Sequence, residues 1–116
     1  MTRPVRKATE ECARADASLS RAFGVLGKRW SGVVVGVLGT GPAGFRELAR
    51  AVEGVSDSVL SDRLSELTEV GVITRTVDPG PPVSVSYELT AAGQALIPAL
   101  RQIARWAEEH LPAGSN

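Results

Sequence analysis

At 116 residues with 43% apolar side chains, the chain suits one compact domain with a single core, and one cysteine (Cys12) with one histidine (His110) excludes an intrachain disulfide and an ordinary zinc site. A formal net charge of zero argues against a non-specific nucleic-acid binder, although Met1–Arg29 holds seven Lys or Arg against three acids, so the excess of cations is confined to the N-terminal quarter. No apolar run approaches the roughly eighteen residues of a membrane span, and Met1–Ala15 is charged where a signal peptide would be apolar, so the expected compartment is the cytoplasm.

Residues 1–17 read as a basic arm, open to a phosphate-binding or a merely solvated role, and residues 18–116 as the folded domain. Ser18–Gly27 places Leu19, Phe23 and Leu26 on one helical face, with Gly27 as the stop. Trp30–Leu38 is rich in Val, which favours a strand, but its length, internal glycines and the Gly39–Pro42 breaker put helix ahead. Phe45–Val52 carries Phe45, Leu48, Ala49 and Val52 at i, i+3, i+4 and i+7, the pattern of a short amphipathic helix. Ser56 is a suitable N-cap for a second helix, Asp57–Val70, whose buried stripe is Leu60, Leu64 and Leu67. Two such helices separated by Glu53-Gly54-Val55 match a helix-turn-helix, with Gly54 free to take positive φ in the turn.

Gly71 ends the second helix, Val72–Val77 reads as a strand, Asp78–Pro82 as a turn and Val83–Leu89 as the returning strand. A helix-turn-helix followed by a two-stranded ribbon is a winged helix. Thr90 caps a last helix whose apolar positions, among them Leu96, Ile97, Leu100, Ile103 and Trp106, spread over more than one narrow face, so something beyond the monomer core must cover them. Pro98 inside it predicts a kink or break.

In a helix-turn-helix the second helix enters the major groove of duplex DNA. Its outward face carries Ser58, Ser61, Asp62 and Ser65, with Ser56 at the helix start; these are the candidate base readers, and a merely solvated face has the same composition. Arg63 has two open roles, a bridge to Glu66 or a phosphate contact. Arg46 and Arg50 beside the first helix, and Arg75 in the wing, are candidates for phosphate contacts that set register without reading sequence. Cys12 reads either as inert or as a thiol able to bridge two subunits, and His110 as a residue stabilised by a helix C-terminus. No nucleophile with an evident base, phosphate loop or metal cluster is present, so neither an enzyme nor a cofactor is expected.

The order of these motifs resembles the HxlR family of winged-helix regulators, relatives of the MarR type. The resemblance is carried by Cys12, Gly27-Lys28-Arg29-Trp30, Phe45-Arg46-Glu47-Leu48, Val55-Ser56, Leu60-Ser61-Asp62-Arg63-Leu64, Leu67 with Gly71-Val72-Ile73-Thr74-Arg75, Val85-Ser86-Tyr87-Glu88-Leu89-Thr90 with Gly93, Leu96-Ile97-Pro98 and Trp106. It implies an α+β, mainly helical winged helix-turn-helix with flanking N- and C-terminal dimerisation helices, in which Leu19, Phe23, Leu100, Ile103 and Trp106 serve the homodimer, and a transcription regulator, expected to be a repressor, on an inverted-repeat operator. It also implies a sensor role for Cys12 toward oxidants or electrophiles. Two positions depart from the family pattern: Ser58 and Ser84 stand where a basic residue is usual, which reduces the expected phosphate contacts. Two other readings stay open, a winged-helix module with weakened DNA binding that acts through protein contacts, and a regulator gated by a small apolar effector.

Overall fold

In the computed structural model, which describes residues 5–114 with side chains from Thr9 to Gly114, the chain forms five helices and one hairpin. Helix α1 (Val5–Leu26) begins well before the expected Ser18, so from Val5 onward the basic segment is helical and not an extended arm. The reason lies in Val5–Ala17, which is rich in Ala, Arg and Glu and contains neither Gly nor Pro; summed helix propensity outweighs the tail-like charge pattern. Met1–Pro4, with Arg3, and the side chains of Arg6 and Lys7 lie outside the described residues.

Helix α2 (Ser31–Leu38) forms despite its valines, because Ser31, Val34, Val35 and Leu38 fall on one buried face and tertiary packing overrides β-propensity. It starts at Trp30, whose φ of 83° lies in the left-handed region, rare for a bulky residue. Helix α3 (Phe45–Ala51) is closed at its start by the Glu47 carboxylate, whose Oε1 accepts from the Gly44 N–H at 2.8 Å. Helix α4 (Asp57–Glu69) has the expected cap: Ser56 Oγ accepts from the Val59 N–H at 3.1 Å. Between the two, Gly54 takes φ of 94°, and a Cβ there would sit 3.4 Å from the Trp30 ring, so the turn is both left-handed and pressed against the indole.

Strands β1 (Ile73–Asp78) and β2 (Ser84–Leu89) pair antiparallel from Ile73 opposite Leu89 to Asp78 opposite Ser84, each starting one residue later than the sequence pattern indicates. Ala43 adds a rung beside Tyr87 through paired backbone hydrogen bonds of 2.8 and 3.0 Å, which fixes the base of the wing to the loop before α3. Thr90 caps helix α5 (Ala91–His110) by accepting from the Gly93 N–H at 3.2 Å, and its hydroxyl donates to the Gly71 carbonyl at 2.6 Å. Gly93 has to lack a side chain, since a Cβ would approach the Val72 carbonyl to 2.3 Å. The expected break at Pro98 does not occur: α5 runs unbroken through it. Both Pro98 and Gln94, whose carbonyl loses its donor, lie on an exposed face where water can replace the missing N–H.

The core is Val34, Val35, Leu38, Leu48, Val52, Leu60, Leu64, Leu67, Ile73 and Leu89, drawn from α2, the helix-turn-helix and the root of the wing. Helices α1 and α5 contribute only partly buried residues to it, such as Val25, Leu96, Ile97 and Leu100. The molecule is accordingly long, 71 × 33 × 23 Å, with a radius of gyration of 17.7 Å against roughly 13 Å for a compact chain of this length. Its accessible surface is 8363 Å², where a globular monomer of its mass would show about 6,100 Å².

Candidate nucleic-acid interface

The interface is built from α4 outward. Leu60, Leu64 and Leu67 are driven into the core, and the 3.6-residue period then turns Ser58, Ser61, Asp62 and Ser65 to solvent, where all four are exposed. Behind α4, the wing leaves a groove of about 560 Å³ lined by Ser61, Ser65, Thr68, Glu69, Arg75 and Tyr87. Arg75 and Tyr87 are directly opposed in the hairpin, so a guanidinium and a phenol share the groove floor beside the helix. The sequence reading missed Tyr87 and Thr68 as members of this surface. Tyr87 belongs to the wing pattern by its spacing, but its place beside α4 depends on how the hairpin folds back, and only the strand register shows that.

The candidate cations do not all remain available. Arg46 pairs with Asp57, bracing the start of α3 against the first turn of α4, while its guanidinium covers the Phe45 ring at 4.9 Å. Of the two roles open to Arg63, the structure shows the internal one: Nη1 reaches Glu66 at 3.0 Å, and Nε donates to the Arg29 carbonyl at 3.0 Å. Its side chain is only 18% exposed. Arg50 and Arg75 are exposed and have no ion-pair partner among the described residues. Ser84 is exposed at the tip-side end of β2, opposite Asp78, whose Oδ1 accepts from the Gly80 N–H at 3.0 Å and shapes the turn. The surface therefore offers hydroxyls, the acids Asp62 and Glu69, and few free cations.

Glu66 also accepts from Lys28 Nζ at 2.9 Å. That hydrogen bond, helped by the charges of Lys28 and Arg63, holds its carboxyl below the ordinary glutamate range.

The expected dimer residues lie on α1 and α5, outside the helix-turn-helix and the wing. Leu19 and Phe23 on α1 are each 56% exposed, and Ile103 and Trp106 on α5 are exposed to a similar degree, whereas Leu100 is partly buried against the core. Trp106 stands beside the His110 ring, with centroids 5.9 Å apart, at the C-terminal end of α5. Cys12 is exposed. No helix among the described residues is long and apolar enough to cross a membrane.

A short helix, a tight glycine turn, a capped second helix with a polar outer face and a two-stranded wing form a winged helix-turn-helix, and residues 25–115 match the model of the HxlR-like helix-turn-helix family. The chain belongs to that family. Among its HxlR-like relatives, the HTH-type transcriptional regulator YodB of Bacillus subtilis is 36% identical over 84% of this chain and 88% of its own. YvaP, a second HTH-type transcriptional regulator of the same bacterium, is 41% identical over 87% and 90%. The solved structure of reduced YodB superposes with a TM-score of 0.75, covering 84% of this chain and 96% of that one. The redox regulator HypR in its oxidized form superposes at 0.76 with 27% identity, over 83% and 99%. YodB has also been solved after diamide treatment and with quinone bound. This HxlR-like protein is a transcriptional regulator of the helix-turn-helix type, and its relatives are regulators rather than enzymes.

Proposed function

We propose that two copies associate through α1 and α5 in the cytoplasm and present their α4 helices to successive major grooves of an inverted-repeat operator, about 34 Å apart, repressing transcription by occluding polymerase. Ser58, Ser61, Asp62 and Ser65 read bases or ordered water, Ser56 and Ser84 lie at the edges of the contact, and Arg75 engages the phosphate backbone. Arg46 and Arg63 hold the reading helix in place. The signal is an oxidant or electrophile acting at Cys12.

The observation that carries this reading is the excess surface together with its apolar composition: Leu19, Phe23, Ile103 and Trp106 all stand exposed on the two helices that contribute least to the core. The continuity of α1 adds the link to the thiol. At about 100° per residue, Cys12 falls within about 20° of both Leu19 and Phe23, on the same stripe. A face that meets a second copy thereby carries the protein's one thiol into or beside the contact. Two such thiols joined by a disulfide release two electrons and two protons to an oxidant such as diamide, and the new bond holds the two α1 helices in a different relation.

The test is binding of the purified protein to its own upstream DNA at two salt concentrations, with and without diamide, beside a Cys12→Ser variant. Specific, salt-sensitive binding that diamide alters only when Cys12 is present supports the whole reading. Binding indifferent to diamide removes the thiol switch but keeps the regulator. Weak binding that scarcely responds to salt would favour a module acting through protein contacts, in keeping with the zero net charge and the serines at positions 58 and 84.

A further inference from the structure

The corner between α1 and α2, residues 27–30, touches the reading unit at three points. Lys28 Nζ meets Glu66 Oε2 at 2.9 Å, Arg63 Nε donates to the Arg29 carbonyl at 3.0 Å, and the Trp30 ring lies against Gly54 in the turn. Glu66 binds both sides of this junction, because its other oxygen takes Arg63 Nη1 at 3.0 Å. The corner itself is held in an uncommon shape: Trp30 is left-handed, the Arg29 guanidinium lies 4.5 Å from the Trp30 ring centroid, and α2 begins from there with Val34 N–H bonded to the Trp30 carbonyl. Lys28 and Glu66 are 38 residues apart in sequence, so this ion pair is tertiary and not a helix-surface pair.

We infer that Glu66 is a positioning residue that ties the recognition helix α4 to the α1–α2 corner, so that a displacement of α1 reaches α4 through the carboxylate shared by Lys28 and Arg63, alongside the Arg63–Arg29 contact and the packing of Trp30 on Gly54. This rests on the reading of α4 as the DNA-facing helix and of α1 as a dimer helix. The physical basis is that α1 has little core of its own, while the corner is joined to α4 by polar contacts at Arg63 and Glu66 and abuts the turn at Trp30. A tilt of α1 therefore has to break those contacts or carry α4 with it. The lowered proton affinity of Glu66 agrees with a carboxylate held by two cations.

Glu66→Ala, Lys28→Met and the double variant test this, with emission alone read in a Trp106→Phe background that leaves Trp30 as the one tryptophan. Without DNA, Glu66→Ala and Lys28→Met should both shift Trp30 emission and speed amide exchange at Ser31 and Val34, whose N–H groups bond to the carbonyls of Lys28 and Trp30. With DNA, each should weaken specific binding by about 3- to 10-fold, the size expected of residues that transmit coupling without touching ligand. The salt slope should stay unchanged, and the double variant should be no weaker than the weaker single one. Unaltered exchange and emission in Glu66→Ala overturn the inference. So does a Lys28→Met variant that loses about one unit of salt slope per subunit while Glu66→Ala binds normally, since Lys28 is then a phosphate ligand. If the parent protein shows no specific binding, the reading of α4 fails while the exchange arm still decides whether the tie exists.

Discussion

If two copies associate through α1 and α5 as proposed, Phe23→Ala should separate them without unfolding either. A phenylalanine covers roughly 150–250 Å² when fully buried. With 56% of Phe23 still exposed in one chain, about 100 Å² remains for a partner to cover, worth roughly 2.5 kcal/mol at ~25 cal/mol per Å². Alanine keeps part of that contact, which leaves a loss of about 2 kcal/mol per copy. Two-fold symmetry makes every substitution occur twice, so the dimer loses about 4 kcal/mol and its dissociation constant rises on the order of a thousandfold. Sedimentation equilibrium over a wide concentration range measures this, with far-ultraviolet circular dichroism confirming that the helices persist. Because Phe23 is absent from the core, its removal should leave monomer folding almost intact. A variant that stays folded and dimerises within threefold of the parent would refute the assignment of this α1 face to the interface.

Leu64→Ala addresses the opposite kind of residue: it is 1% exposed in the centre of the core, and urea unfolding should show a loss of about 2–5 kcal/mol. Arg75→Ala should lower the salt slope of DNA binding by about one unit per subunit with the oligomeric state unchanged, because a single freely exposed cation is removed. Acidification bears on Glu66. Its folded carboxyl is held below the ordinary range, so the stability it contributes is complete above the unfolded value and disappears as pH falls through the folded one. The difference in Tm between the parent and Glu66→Gln should therefore be constant near neutrality and narrow on acidification through the carboxylate range.

The parts of the fold most legible in the sequence were those in which local chemistry and periodicity agree. Ser56, Thr90 and the Leu60–Leu64–Leu67 stripe could be read directly, because a cap needs only its own hydroxyl and a buried face only its spacing. The start of α1 was not legible, since a run of Ala, Glu and Arg is compatible with a solvated tail and with a helix, and the choice turns on propensity summed over several turns. For a related reason Pro98 did not break α5: a proline costs a helix most where the lost hydrogen bond is buried, and here the residue is exposed. Arg63 shows the limit for the site. Its i, i+3 relation to Glu66 was visible, but the Arg29 carbonyl and Lys28 that complete the cluster are 34 and 38 residues from their partners, and no local pattern encodes them. Tyr87 was missed in the same way.

With Arg46 committed to Asp57 and Arg63 to Glu66, Arg50 on α3 and Arg75 in the groove beside α4 are exposed cations without an ion-pair partner among the described residues, and Ser58 and Ser84 add none. A single half-site contact of this composition is weak, because phosphate neutralisation supplies most of the sequence-independent affinity. On the proposed reading, tight binding then depends on two half-sites being engaged together, the second at the high effective concentration that a rigid dimer imposes. That benefit vanishes when the spacing between the two α4 helices departs from one helical turn of DNA. A signal acting at α1 therefore need not obstruct the DNA-facing surface at all. It is enough to change the relation of the two subunits, and the contacts of Glu66 with Lys28 and Arg63 are where that change would pass from the dimer helix to the reading helix.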